Sequence, residues 1–241
     1  MYMYKEVISM EAFLDLLNLF AQRRELVTQA LSQHLWLSFM ALTVIMFLGI
    51  PLGIMISRLR KLAPLVLGFT GFLYTIPALA FFGFMIPFLG IGVRPAVAAL
   101  IIYGLMPLVR NTYVGISEVD KAVIDAARGM GATNWQLLRD VEIPLALPTI
   151  VAGFRTVTVM TISITTIAAF IGAGGLGTII LRGITTYNPP LILVGAIPVA
   201  LLALTADGLL GLLERGLLRY SKGLSAGRKP SPQAIGPAGS A

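Results

Sequence analysis

Long apolar runs dominate the pattern of hydrophobic and polar positions along the chain. Roughly 20 apolar residues of helix cross the ~30 Å hydrocarbon core of a bilayer, and several runs approach or exceed that length. They are residues 35–56, 65–89, 95–116, 146–171 and 191–213. Prolines within some of these runs free backbone carbonyls, which neighbouring helices or a cavity must then satisfy. The pattern predicts an all-α integral membrane protein with a bundle of five transmembrane helices.

Composition and charge support this class. Hydrophobic residues make up 57% of the chain and charged residues only 12%, about half the charged fraction of a soluble domain. The bases are scattered singly between apolar runs, without a basic stripe or a nucleic-acid motif, so the net charge of +7 does not indicate nucleic-acid binding. The chain has no cysteine, which excludes disulfides, thiol catalysis and zinc–thiolate sites.

The positions of lysine and arginine predict the orientation and the boundaries of the membrane domain. These residues concentrate on the cytoplasmic side, and with five spans most of the 18 fall on the side of the C-terminus. We therefore expect the N-terminus outside and the C-terminus inside. Residues 1–34 are predicted to be an outer N-terminal segment, 35–222 the transmembrane domain, and 223–241 a disordered cytoplasmic tail rich in Pro, Gly and Ser.

The N-terminal segment contains one amphipathic stretch. Residues 10–22 place Phe13, Leu16, Leu17 and Phe20 on one helical face. A helix of this kind lies in the membrane interface or packs on the bundle, and the sequence leaves both alternatives open.

A polar loop, residues 117–145, interrupts the apolar pattern between the third and fourth spans. Its first half places small apolar residues on one helical face and ends at Gly129 and Gly131. Thr133 or Asn134 can cap a second helical piece, which Pro144 is expected to stop. This helix–turn–helix either seats in a groove of another protein or lies against the bilayer. Spacing alone leaves the two alternatives equal.

The loop resembles the EAA motif of type I ABC importer permeases. That motif is Glu-Ala-Ala, three residues, Gly, nine residues and Ile-x-Leu-Pro, and the spacing here matches at every step, with conservative replacements. Two more stretches, YTIPALAFFGFMIPFLGIG and TTIAAFIGAGGLGTIILRGI, look like those of glycine betaine, carnitine and choline permeases, and the likeness covers about residues 35–222. The matching motif residues are Asp125, Ala126, Ala127, Gly131, Val141, Ile143 and Pro144.

The resemblance implies a MetI-like permease fold in a bacterial cytoplasmic (inner) membrane. It implies that the loop is a coupling helix seated in an ATPase subunit. The expected partners are two ATPase copies, a second permease chain as a homo- or heterodimer, and an extracytoplasmic substrate-binding protein. The chain has no Walker A motif, so ATP and Mg²⁺ are expected on the ATPase and no cofactor on this chain. The glycine run 172–177 is shared with methionine-type permeases.

Two sets of residues within the spans are candidates for function. An aromatic path suits a methylammonium cation, although packing is the stronger alternative for the same side chains: Tyr74, Phe81, Phe82 and Tyr103. Arg155 and Asp207 are predicted at similar depth, where Arg155 pairs with Asp207 or extends to the inner interface. His34 is expected to be an interface residue. Gly49 and Gly53 allow close helix packing.

Other functions fit the sequence less well. The sequence has no cluster of acids and histidines at metal-ligand spacing and no nucleophile beside a base, so it does not fit an enzyme. The alternative of a stand-alone channel or carrier does not explain the match to the EAA motif. Within the importer class, a permease for methionine or another small thione or amine is the alternative to the osmoprotectant substrate.

Overall fold

The computed structural model describes residues 10–226, and these residues form helices and connecting turns without a β-strand. The amphipathic stretch and the spans lie inside this range, whereas residues 1–9 and 227–241, with most of the predicted tail, lie outside it. The elements in chain order are α1 (Met10–Gln22), α2 (Arg24–Arg58), a 3-10 turn (Arg60–Leu62), α3 (Ala63–Thr75), α4 (Ala78–Leu89), α5 (Val93–Ser117), α6 (Lys121–Gly129), α7 (Asn134–Gln136), a π-helical segment (Leu137–Glu142), α8 (Ile143–Thr165), a second 3-10 turn (Ile167–Ile171), α9 (Gly177–Thr185) and α10 (Pro189–Ala226).

Four helical stretches in the described range are long and apolar enough to span a membrane, namely 24–58, 93–117, 134–165 and 189–219. The pair α3 and α4 makes a fifth span if it is counted as one element, although its two halves are bent by 99°. The span predicted over 65–89 is therefore broken into two helices at the proline it contains, Pro77. Ile76 is extended (φ −70°, ψ 130°) because the following Pro77 disfavours helical backbone before it, and Pro77 has no N–H to continue the ladder.

Helices extend beyond the predicted span boundaries at several ends. α2 begins at Arg24 rather than at residue 35, and α10 continues to Ala226 into the predicted tail. Hydropathy marks only the apolar part of a helix, and backbone hydrogen bonding continues beyond it into polar sequence. Even the turn at Arg23 preserves the ladder, since the Arg23 N–H donates to the Leu19 carbonyl.

α1 packs on the bundle, as the second of the two sequence alternatives proposed. Leu16 and Phe20 lie against a buried cluster that includes Leu176 and Leu191. Leu176 directly precedes α9, and Leu191 lies in the first turn of α10. Leu17 is about half exposed. The side chain of Phe13 lies outside the described side chains.

α5 lies at the centre of the bundle and contacts α2, α3, α4 and α8. It crosses α2 closely at Gly49 and Gly53. A Cβ at Gly53 would lie 2.5 Å from Thr112 Cβ and 2.9 Å from the Val109 carbonyl oxygen. The glycines therefore let the two helices approach each other closely, as their four-residue spacing suggested.

The two ends of the bundle collect different segments. At one end, which we call the coupling end, the C-terminus of α2 contacts the loop between α5 and α8 through Arg58 and Glu142. At the opposite end, Gln33 and His34 of α2 contact the glycine run and the last turn of α8. The predicted inner and outer segments thus separate to opposite ends of the molecule.

Candidate functional site

The loop 117–145 folds into two capped helical pieces at the coupling end. Asp120 caps α6 by accepting a hydrogen bond from the Ala122 N–H at 2.9 Å. The helix ends at Gly129, and the turn after it contains Gly131, whose φ of +87° is the left-handed conformation that glycine adopts without strain. The Ala132 N–H then donates to the Ala127 carbonyl at 3.1 Å, which closes the turn.

Thr133 starts the second piece with a capping box. The Gln136 N–H donates to Thr133 Oγ1, and the Thr133 N–H donates to Gln136 Oε1 at 2.9 Å. Both hydrogen bonds satisfy backbone donors that the first helical turn leaves without partners. The sequence predicted this start at Thr133 or Asn134, and the capping geometry selects Thr133.

Pro144 does not end the second piece, contrary to the prediction. The chain passes through the π-helical segment and continues into α8 without leaving helical conformation. The Ile143 N–H donates to the Leu138 carbonyl, a bond to the fifth preceding residue. This wider turn accommodates the proline, whose ring would clash with the carbonyl four residues earlier in a regular α-helix. As a result, the loop is joined to a membrane span by continuous helix.

The motif residues divide between the interior and the surface of the loop. Ala127 is buried where α6 packs against the π-helical segment, whereas Asp125 and Gly131 are exposed. The methyl group of Ala127 therefore packs inside the loop, and a contact of Ala127 with a partner stays a prediction. Val141, Ile143, Pro144 and Ala126 are partly buried.

Two large apolar side chains that sequence reasoning did not select form the outer surface of the loop. Met130 is 79% exposed and Trp135 is 66% exposed. Both flank the Gly131 turn. Met130 lies between two glycines, and Trp135 follows the Thr133 cap. These positions were the available signal, since a large apolar side chain in a short polar loop has no core to enter.

Glu142 forms an ion pair that the sequence did not predict. Arg58 Nη1 donates to Glu142 Oε1 at 3.1 Å, and Arg58 Nη2 donates to Glu142 Oε2. The Glu142 side chain is only 5% exposed and that of Arg58 is 36% exposed. The pair ties the π-helical segment to the end of α2.

Three of the four aromatic candidates for a pathway lie in the core. Phe81, Phe82 and Tyr103 are buried, and the Tyr103 hydroxyl donates to the Ile76 carbonyl at the α3–α4 break. The Phe81 and Tyr103 rings meet edge to face at 5.7 Å. Packing is thus the role of these three in this conformation. Tyr74 differs, since it is 41% exposed.

Arg155 lies between two carboxylates of α10. Its Nε and Nη2 donate to Asp207 Oδ1 and Oδ2 at 2.6 and 2.7 Å, and its Nη1 donates to Glu214 Oε2 at 3.0 Å. The bidentate geometry with Asp207 is the stronger contact. Sequence reasoning paired Arg155 with Asp207 by depth and did not include Glu214.

His34 is completely buried, so its assignment as an interface residue is wrong. Its Nε2 lies 3.0 Å from the Ile162 carbonyl, and its side chain packs against Gly175. Gly175, with a φ of +80°, also donates its N–H to Gln33 Oε1 at 3.1 Å. The glycine run is therefore a tight loop packed on α2, in the end of the bundle opposite the coupling end.

These features define a class of protein. Membrane-length helices around a glycine-packed centre, with an exposed helical loop joined rigidly to one span, are typical of a multi-pass membrane subunit that docks a partner at one end.

Comparison with known proteins identifies the family. Residues 45–219 match the family described as binding-protein-dependent transport system inner membrane component. The chain is 48% identical to a carnitine transport permease protein of Listeria monocytogenes, over 76% of this chain and 84% of that protein. It is 44% identical to a glycine betaine/carnitine/choline transport system permease protein of Bacillus subtilis, with the same coverage. The chain therefore belongs to the family of binding-protein-dependent transport system inner membrane components.

A further relative and a solved structure agree with this family. An osmoprotectant import permease protein of Salmonella typhimurium is 46% identical, over 76% of this chain and 87% of that protein. An inward-facing MetNI methionine ABC transporter has the same fold, with a TM-score of 0.75 at 23% identity, covering 81% of this chain and 98% of that chain. The protein is thus a multi-pass permease subunit of an ABC importer. It works with a separate ATPase and a substrate-binding protein.

Proposed function

We propose that this chain is the transmembrane permease of an ATP-driven importer for quaternary-amine osmoprotectants, the glycine betaine, carnitine and choline class. The observation that carries the proposal is the exposed loop at the coupling end, where Met130 and Trp135 project beside the Gly131 turn. The substrate class follows the names of relatives at 44–48% identity.

In the proposed mechanism, the loop transmits ATP-driven motion to the spans. Two permease chains, identical or related, each seat one loop in one of two ATPase subunits, where ATP and Mg²⁺ bind. Closure of the ATPases moves the loops, and helical continuity through the π-helical segment passes that movement to α8. The Glu142–Arg58 pair passes it to α2. ATP acts by binding one global state better than the other.

The proposed orientation has the N-terminus outside and the C-terminus in the cytoplasm. The coupling end then faces the cytoplasm, where the ATPase is, and the glycine run faces the binding protein. The excess of lysine and arginine on the C-terminal side supports this orientation.

Uptake by the assembled transporter tests the function. The permease, its ATPase and its binding protein are reconstituted in proteoliposomes with internal ATP, and uptake of labelled glycine betaine, carnitine, choline and methionine is measured. We expect ATP-dependent accumulation of at least one quaternary amine and none of methionine. Accumulation of methionine alone, or equal uptake without ATP, would contradict the proposal.

A further inference from the structure

A groove opens on the bundle beside Arg155, between α3, α8 and α10. Its volume is about 630 Å³, which lies in the range of small-molecule sites. We call it the tyrosine–carboxylate groove, and it is lined by Tyr74, Ala152, Arg155, Thr156, Val159, Met160, Asp207 and Glu214.

The charged wall of the groove carries an excess of negative charge. One guanidinium, that of Arg155, contacts two carboxylates, Asp207 through both oxygens and Glu214 through Oε2. Among the residues that line this groove, Arg155 therefore neutralises only one of the two acids, while Arg215 lines the adjoining pocket with Arg155 and Asp207. A cation entering the groove gains from the attraction of the remaining charge.

Other residues that line the groove supply an aromatic ring and a polarisable sulfur. Tyr74 is 41% exposed, its ring centroid lies 6.0 Å from that of Tyr103, and its hydroxyl donates to Met160 Sδ at 3.5 Å. These contacts hold the ring while part of it stays accessible. An aromatic face attracts a cation that has no hydrogen-bond donors, and a methionine sulfur adapts to methyl groups.

The exposure of these charges also indicates what the groove faces. The side chains of Arg155 and Asp207 are 32% and 39% exposed, although both residues lie within membrane-length helices. Charges in spans face a water-filled cavity or the bundle interior rather than lipid. The groove on the other side of α3, between Leu52, Phe69 and Leu105, is apolar apart from Thr70 and suits lipid or a protein surface instead.

We propose that the tyrosine–carboxylate groove is a low-affinity transit site, in which Tyr74 and the carboxylates of Asp207 and Glu214 hold the quaternary ammonium group of the substrate. The site rests on the proposed function and adds a location and a charge preference to it. A net cation such as choline uses the excess carboxylate charge, whereas the zwitterion glycine betaine brings its own carboxylate near Glu214. The groove therefore favours choline over glycine betaine.

Uptake ratios in the reconstituted transporter test the groove. The variants are Tyr74→Leu, Tyr74→Phe and Glu214→Gln, and Phe69→Leu in the apolar groove is the matched control. Glu214→Gln is expected to lower the ratio of choline to glycine betaine uptake about fivefold, since it removes the excess charge. Tyr74→Leu is expected to lower uptake of both about tenfold through loss of the aromatic face, and Tyr74→Phe is expected to stay within about twofold.

The outcomes separate this inference from the function. Absence of quaternary-amine uptake by the unchanged transporter overturns the function and the groove together. Normal uptake by that transporter, with an unchanged choline to betaine ratio in Glu214→Gln, overturns the groove alone. Loss of permease dimers by a folded Tyr74→Leu variant, measured by size exclusion, identifies the face as an interface between permease chains and overturns the transit site. If Tyr74→Leu does not fold, the Glu214→Gln ratio decides.

Discussion

Glu142 is almost completely buried, and Arg58 is the side chain that balances its charge. A buried charge that loses its partner destabilises a protein by about 3–5 kcal/mol, because nothing replaces the lost hydration. The two partners are not equivalent here, because Arg58 is about a third exposed and water can solvate its guanidinium when Glu142 is changed.

We therefore predict an asymmetry between the two single substitutions. Arg58→Met leaves the Glu142 carboxylate buried without a partner and is expected to destabilise the permease by about 2–3 kcal/mol, reduced from the fully buried value by the exposure of Arg58. Glu142→Gln is expected to have a smaller effect, about 1 kcal/mol. Thermal unfolding of the purified permease in detergent measures both.

The control is Arg60→Met, which removes an exposed base two residues further along the chain. Equal destabilisation by Arg58→Met and Arg60→Met would mean that the Glu142 pair contributes nothing specific. A larger effect of Glu142→Gln than of Arg58→Met would contradict the burial argument.

At the scale of elements, the loop at the coupling end has a polar, glycine-containing sequence but a well-defined geometry. Asp120, Thr133 and Gly131 each define one helix end. The π-helical segment then carries the chain past Pro144. Because every junction is capped or continuous, movement of the loop as a unit moves α8, and this rigidity is what the proposed coupling requires.

Gly131→Trp tests the loop as a docking element. The substitution adds bulk at the exposed turn and strains a residue with positive φ, at a cost of about 1–2 kcal/mol to the turn. We expect the permease to insert and assemble, while substrate-stimulated ATPase activity of the transporter is lost. Gly68→Trp, at a helical glycine with open space around it, is the control and is expected to retain that activity. Normal coupled transport by Gly131→Trp would rule out the docking role.

At the scale of the whole molecule, the bundle brings predicted inner segments to one end and predicted outer segments to the other. The orientation in the membrane follows from this arrangement once one position is assigned to a side. The absence of cysteine from the sequence makes single-cysteine labelling specific.

Two positions suffice for the orientation test. Tyr187, in the turn between α9 and α10, is 93% exposed, and Met130 in the coupling loop is 79% exposed. The reagent is a maleimide that cannot cross the cytoplasmic membrane, and it is added to intact cells whose outer membrane or cell wall lets it through. It is expected to label Tyr187→Cys directly and Met130→Cys only after the cytoplasmic membrane is opened. Labelling in the reverse order would invert the proposed topology.

Sequence patterns located much of the architecture because they depend on neighbours along the chain. Apolar length identified the spans, and turn chemistry placed the breaks of the coupling loop at Gly131 and Thr133. Boundaries were less accurate. α2 begins at Arg24, and the span over 65–89 is broken at Pro77, because hydropathy reports the environment of residues and not where backbone hydrogen bonding ends.

The sequence by itself determined the class of protein, the number of apolar runs and the motif of the coupling loop. Only the tertiary structure decided which side chains meet. Glu142 pairs with Arg58, 84 residues away, and Glu214 joins Arg155 from another helix. Likewise Phe81, Phe82 and Tyr103 enter the core while Tyr74 stays accessible. Such contacts depend on how helices cross and rotate against one another, and local spacing carries no information on that rotation.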